Sequence, residues 1–223
     1  GSKNGGYIAA LRNMIAAADT DIVAILDADD AIDPETTGCI LDAFAKVPDA
    51  VFAYSRFEMC DSSLSKTLGE FGRAVPVGGT AIVDGPVGHI KSFRKSAYAK
   101  TTGLDDSMLY EEDRDLIYKI EETGQLVFID AKLYRYRYIA TSQSNDPVKR
   151  EIGFRNTWRA RRAAISRRKI RGTARIAAEC AVFWDYVESS QRFPASVRWL
   201  AARLSGIAAN IWRRGDMLAR AEA

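Results

Sequence analysis

The sequence predicts an α/β fold: a mixed, mainly parallel sheet flanked by helices, followed by a basic helical C-terminal extension. Three observations carry this. Short apolar runs alternate with helical-period segments through the first part of the chain. A cluster of acids, Asp27-Ala28-Asp29-Asp30, stands directly after one apolar run. Charge is also divided: residues 1–148 hold 15 Lys/Arg against 23 Asp/Glu, whereas residues 149–223 hold 17 against 6. The expected domains are therefore 1–148 and 149–223.

After Asn4-Gly5-Gly6, apolar residues Ile8, Leu11, Met14, Ile15 and Ala18 recur at helical spacing, and Thr20-Asp21 closes that helix. Ile22 to Leu26 is a continuous apolar run ending in acid, the pattern of a strand buried on both faces. Pro34-Glu35 opens a second helix reaching about Lys46, with Ile40, Leu41 and Phe44 on one side, and Val51 to Tyr54 forms the next strand. Residues 61–88, rich in Ser, Gly and Pro, read as a long loop. A strand at His89–Phe93, a helix at Lys95–Lys100, a helix from Glu112 to Thr123 stopped by Gly124 and a strand at Leu126–Ile129 follow. From Arg150 the chain is Ala/Arg-rich and helical, with Pro194 separating two stretches.

Composition narrows the chemistry. Cys39, Cys60 and Cys180 are odd in number, widely spaced and outside any C-x-x-C pair, so neither a disulfide framework nor a structural zinc site is indicated, and a reducing cytoplasmic setting is expected. His89 is the single histidine, so a metal site must be built from carboxylate oxygen. No apolar run approaches the roughly 18 residues of a membrane span.

The acids at the strand end are the first candidate site. They stand at the carboxyl edge of the sheet, where open α/β folds bind ligands. Alternation along an extended segment points Asp27 and Asp29 the same way, toward one divalent cation, Mg²⁺ or Mn²⁺, bridging to a substrate diphosphate. The alternative is a solvated acidic turn or a helix cap. A second acidic stretch, Glu111-Glu112-Asp113-Arg114-Asp115, precedes an apolar helical run. It reads either as acid favoured by the helix dipole or as a carboxylate acting as general base.

The order of motifs is more informative than any one of them. Asn4-Gly5-Gly6, the run Ile22 to Asp30, Gly88-His89 before Phe93-Arg94-Lys95, Gly103-Leu104-Asp105, Glu112 to Leu116, and Leu133 to Arg137 closely resemble the family 2 glycosyltransferases over roughly residues 3–144. The resemblance implies a GT-A-like, Rossmann-like fold and an inverting, metal-dependent transfer of one sugar from a nucleotide-diphosphate sugar, a UDP-sugar above all. The acceptor would be a hydroxyl on a glycan or lipid-linked molecule, in bacterial-type surface glycan synthesis. It also implies that Asp27 lies near the nucleotide ribose and that Asp29, with Asp27, holds the metal. Asp113 would be the base, with Glu112 its neighbour. Asn4, Gly5, Gly6 and Ala28 would lie beside the nucleotide, and His89 on the acceptor side.

Two departures from the family pattern stand out. No histidine follows Tyr136-Arg137, so the clamp on the diphosphate is expected either to be weaker than in the family or to take its charge from Arg137. The N-terminal segments that bind the nucleobase in the family are not found, so the catalytic domain is expected to be partial. Arg198-Trp199 is preceded by Ala195 where processive members carry Gln, which favours transfer of a single sugar.

The same residues admit other readings. One is a transferase remnant that binds without catalysing; another is a haloacid-dehalogenase-like phosphatase, whose motif conflicts with Ala31. Tyr134, Tyr136 and Tyr138 alternate with Arg135 and Arg137 as an edge strand would, and two of the three tyrosines are expected in the core. The basic tail, with Trp158, Trp199, Ile207, Ile211 and Trp212 among its arginines, suits either an anionic membrane surface or a solvated basic face. No nucleic-acid-reading motif is present.

Overall fold

A computed structural model describes residues 6–85, 87–142 and 145–221, with side chains through residue 215. The chain divides into two compact units. One comprises Gly1–Ala74, Pro86–Ser107 and Lys119–Ser142; the other comprises Val75–Gly85, Met108–Tyr118 and Gln143–Ala223.

The first unit is built on a sheet of six strands among the described residues: β1 (Ile22–Ile25), β2 (Ala31–Ile32), β3 (Ala50–Cys60), β4 (Thr67–Phe71), β5 (Lys91–Arg94) and β6 (Gln125–Arg137). The order is β1-β5-β3-β6-β2, with β4 also pairing β3. The α/β class is the one expected, but the sheet is not mainly parallel. Only β3 and β6 pair in parallel, from Ala50 opposite Gln125 to Cys60 opposite Arg137; β1–β5, β3–β5, β3–β4 and β2–β6 are antiparallel. The reason is topological. Because β1 and β3 both run antiparallel to β5, they share a direction, so the β1–helix–β3 rhythm is real, but β5 lies between the two strands.

Of the helices in this unit, α1 (Gly6–Ala17) buries Ile8, Leu11 and Ile15, while Met14 stays 60% exposed. The helix α2 (Thr36–Lys46) buries Ile40, Ala43 and Phe44 and leaves Leu41 outside. Thr36 Oγ1 donates to the Leu133 carbonyl at 2.8 Å, tying the start of α2 to β6. Ile40, Phe44, Ala50, Ala53, Ile90, Leu133 and Tyr134 share one apolar cluster. β1 is only half-buried, with Ala24 exposed, and it pairs on one side alone among the described strands. β6 continues past Ile129 to Arg137, so Tyr134 and Tyr136 lie on an inner strand and Tyr138 just beyond it. Tyr134 is fully buried, Tyr136 packs against the cluster and Tyr138 is exposed.

The second unit is helical. Short α3 (Ala81–Asp84) precedes α4 (Lys95–Tyr98) of the first unit in the chain, and α5 (Glu112–Glu121) begins in the second unit. Then come α6 (Pro147–Arg167), α7 (Gly172–Ser189) and α8 (Ala195–Ala221). Asp146 caps α6 by accepting from the Val148 and Lys149 amides. The expected two helical stretches become three because the chain turns between Arg167 and the start of α7, where Lys169 (φ 53°) and Gly172 (φ 59°) take left-handed backbone. Small side chains bring α7 and α8 together at Ala181, Ala208 and Ala209.

Candidate active site

In the first unit the acidic residues form a turn at the carboxyl end of β1, and β6 holds that turn in place. Tyr134 Oη donates to Asp30 Oδ2 at 2.6 Å and accepts from the Asp27 amide at 3.3 Å. The Arg137 amide donates to Asp30 Oδ1 at 2.7 Å, so both carboxylate oxygens of Asp30 are engaged. Arg137 also donates from Nε to the Asp29 carbonyl and from its guanidinium to the Ser62 carbonyl. Burial pushes the Asp30 carboxyl above the usual aspartate range; the bonds from Arg137 and Tyr134 oppose this, and neighbouring Asp29 and Asp27 reinforce it. Burial, and then the bond to Asp30, pushes the Tyr134 phenol up, which keeps its proton on Oη.

The turn therefore divides its acids by function. Asp30 is bound into the protein. The side-chain carboxylates of Asp27, half-buried, and Asp29, exposed, make no hydrogen bond or ion pair among the described residues. Ala28 is exposed between them.

The resemblance seen in the sequence implies a divalent cation, for which Asp27 and Asp29 are the candidate ligands. Among the described residues no group of three or more His, Cys, Asp or Glu side chains is arranged as a metal cage. Magnesium is usually held by one or two carboxylates together with substrate phosphates and water. Two carboxylates with no protein partner among the described residues fit a cation shared with a diphosphate, and they do not fit a resident structural metal.

His89 is gathered to the same place. Its ring stacks on Tyr134 at 4.3 Å between centroids, lies 5.8 Å from Tyr136 and meets Phe57 edge-on at 5.2 Å. Its carbonyl accepts from the Ser55 amide at 2.9 Å. The structure thus brings Asp27, Ala28, Asp29, Arg137 and His89 around Tyr134. Gly6 opens α1 at φ +81°, a backbone conformation that suits glycine. Asn4 and Gly5 lie outside the described residues.

Glu112 and Asp113 belong to the second unit, in the first turn of α5. Glu112 is buried and Asp113 half-buried. The two residues before them, Tyr110 (φ 67°) and Glu111 (φ 62°), are both left-handed without being glycine, an uncommon pair that the surroundings must hold. Asn156 of α6, 3% exposed, does part of this: its Nδ2 donates to the Leu109 carbonyl and approaches that of Tyr110 at 3.4 Å. Gly153 gives room to Glu111, whose Cγ would stand 3.0 Å from an added Cβ. Glu111 pairs with Arg114, and that neighbouring charge raises the Arg114 pKa. Further along α6, Arg161 Nε donates to Tyr118 Oη at 3.1 Å, and its guanidinium pairs with Asp185.

Sequence reasoning missed Asp30, Tyr134 and Asn156 as supports. Tyr134 left a signal, since it is one of the alternating tyrosines. Asn156 left only the oddity of a poor helix former in the middle of an Ala/Arg-rich helix.

Residues 1–101 match the model of "Glycosyl transferase family 2". The match covers a little under half of the chain and agrees with the motifs that resemble that family. The matched range contains Asp27, Ala28, Asp29 and His89, and it ends before Glu112, Asp113 and Arg137. No curated protein sequence matches the chain. Solved structures similar to it include S. aureus TarS 1-349, at 14% identity over 100% of this chain and 73% of that one, with a TM-score of 0.48. A second structure of S. aureus TarS gives 12% identity over 91% of this chain and 41% of that one, with a TM-score of 0.44. S. aureus TarS 1-349 in complex with UDP-GlcNAc gives 13% identity over 98% and 73%, with a TM-score of 0.43.

Proposed function

We propose that this chain moves one sugar from a nucleotide-diphosphate sugar, a UDP-sugar, to a hydroxyl of a glycan or lipid-linked acceptor, with inversion at the anomeric carbon and with Mg²⁺ or Mn²⁺. The single observation that carries the reading is the division of labour in the acidic turn: Asp30 is engaged by Tyr134 and Arg137, whereas the side-chain carboxylates of Asp27 and Asp29 make no hydrogen bond or ion pair among the described residues. A turn that served only as a cap would not need two acids left without protein partners, and two carboxylates on one turn suit a divalent cation.

In this reading Asp29 and Asp27 hold the cation, and Arg137 faces the diphosphate. When bound, the cation neutralises charge developing on the departing nucleotide diphosphate. Asp113 accepts the proton of the acceptor hydroxyl as the hydroxyl oxygen bonds to the anomeric carbon and the bond to the diphosphate oxygen breaks. Glu112 orients Asp113 or the acceptor. His89 is on the acceptor side, with its ring fixed by Tyr134. The setting is cytoplasmic, at the inner face of a membrane where surface glycans are assembled.

The reading is tested by incubating the chain with UDP-sugars and lipid-linked or glycan hydroxyl acceptors and measuring UDP release with and without Mn²⁺. Metal-dependent release supports it. Metal-dependent hydrolysis of an aryl phosphate that Asp27→Asn abolishes, with no UDP-sugar turnover, would replace it by a phosphatase reading.

A further inference from the structure

We infer that the outer face of α8 is a docking surface for an anionic lipid bilayer, and that the helix lies on that bilayer in its plane. This names the membrane-contacting surface within the function proposed above, but its argument and its test need neither donor nor acceptor.

α8 has two faces that the sequence spacing separates. Toward the protein it presents Ala201, Ala208, Ala209 and Trp212, all buried. Away from it stand Leu200 (48% exposed), Ile207 (56%) and Ile211 (55%), with half-buried Leu204 completing the series. Positions 200, 204, 207 and 211 recur every three or four residues and so form one stripe. Trp199, 59% exposed, borders it, and the Arg203 guanidinium lies 4.0 Å from the centroid of its indole. An aromatic and a cation sharing one exposed patch suit the level of lipid headgroups, where a ring has one apolar and one wet side.

Charge selects the occupant. Between Ser189 and Gly215 the chain carries Arg192, Arg198, Arg203, Arg213 and Arg214 and no Asp or Glu. Arg192 pairs with Glu151 and Arg213 with Asp84, whereas Arg198, Arg203 and Arg214 form no ion pair among the described residues. An apolar stripe bordered only by positive charge complements a negative surface with an apolar interior. A second copy of the same face would bring like charges together. No helix among the described residues is long and apolar enough to cross a membrane, and an interfacial helix needs no such length.

The test is flotation of the whole chain with vesicles of phosphatidylcholine alone or mixed with phosphatidylglycerol. The expected result is binding to the mixed vesicles, little to neutral ones, and loss of binding as salt rises. The double variant Ile207→Asp/Ile211→Asp should lower partitioning by at least about tenfold, and Arg203→Glu/Arg214→Glu by about tenfold on mixed vesicles only. All four side chains are on the outside, so circular dichroism should match the unmodified chain. No binding to anionic vesicles, equal binding to neutral ones, or binding that survives both double variants overturns the assignment. So does a dimer by light scattering that the Ile207→Asp/Ile211→Asp variant dissolves. Metal-dependent UDP release persisting without vesicle binding would sink this inference alone, and vesicle binding without UDP release would sink only the transferase reading.

Discussion

Tyr134 and Asp30, 104 residues apart in sequence, are joined by a hydrogen bond of 2.6 Å that fastens the acidic turn to β6. Tyr134→Phe removes this bond and the acceptor of the Asp27 amide while keeping the ring stacked on His89. Losing one partner of a partly buried polar pair costs about 1–3 kcal/mol. The expected outcome is a lower denaturation midpoint and at least about tenfold weaker Mn²⁺-dependent nucleotide binding, since a loosened turn no longer presents two carboxylates together. Urea denaturation and calorimetry check the two parts separately.

Asp30 also predicts a pH dependence. Its folded-state pKa is raised above the ordinary 3.8, chiefly by burial, so in the window above 3.8 the folded chain binds the proton more tightly than the unfolded chain. The stability it contributes is present at acid pH and is lost as pH rises through its raised pKa. Asp30→Asn should therefore flatten the fall in stability as pH rises from about 4 toward neutrality. Urea midpoints at a series of pH values, read by tryptophan fluorescence, would show the difference in slope.

Asn156 holds the left-handed pair that precedes the proposed base. Asn156→Ala should destabilise the chain by about 1–3 kcal/mol, because the Leu109 and Tyr110 carbonyls lose their donor. Adding Tyr110→Gly, which suits φ 67° without penalty, should recover about 1 kcal/mol in the Asn156→Ala background. Thermal melts of the single and double variants check this, with each kcal/mol expected to move Tm by about 2–4 °C.

Asp113→Asn should reduce sugar transfer by about 10²–10⁴-fold while leaving nucleotide affinity within about twofold, as expected for a group that acts only on the proton in flight. Rates of UDP release beside calorimetric affinities test that separation. A parallel loss of both would reassign Asp113 to binding or to structure.

The local parts of this fold were legible because local chemistry writes them: the apolar run of β1, the acids that end it, and the Pro34 opening of α2. What was not legible depends on partners far along the chain. The run Ile22–Leu26 reads as a strand covered on both faces, yet β1 is only half-buried and, among the described strands, pairs with β5 alone, some seventy residues later and antiparallel. The even-numbered tyrosines of β6 announced a common face, but nothing in their spacing says that Tyr134 reaches Asp30. In the tail, Gly172 marked the break between α6 and α7, and a continuous Ala/Arg composition concealed it. Asn156 showed only as a poor helix former within its helix, because its work is done on carbonyls 46 and 47 residues away.

The claim that Asp27 and Asp29 carry a cation and a diphosphate is tested most directly by titrating UDP into the chain with Mn²⁺ present and absent, for the unmodified protein and for Asp29→Ala. The account predicts heat of binding that requires Mn²⁺ and disappears in Asp29→Ala. Nucleotide affinity that is the same in both proteins, or indifferent to Mn²⁺, would contradict it.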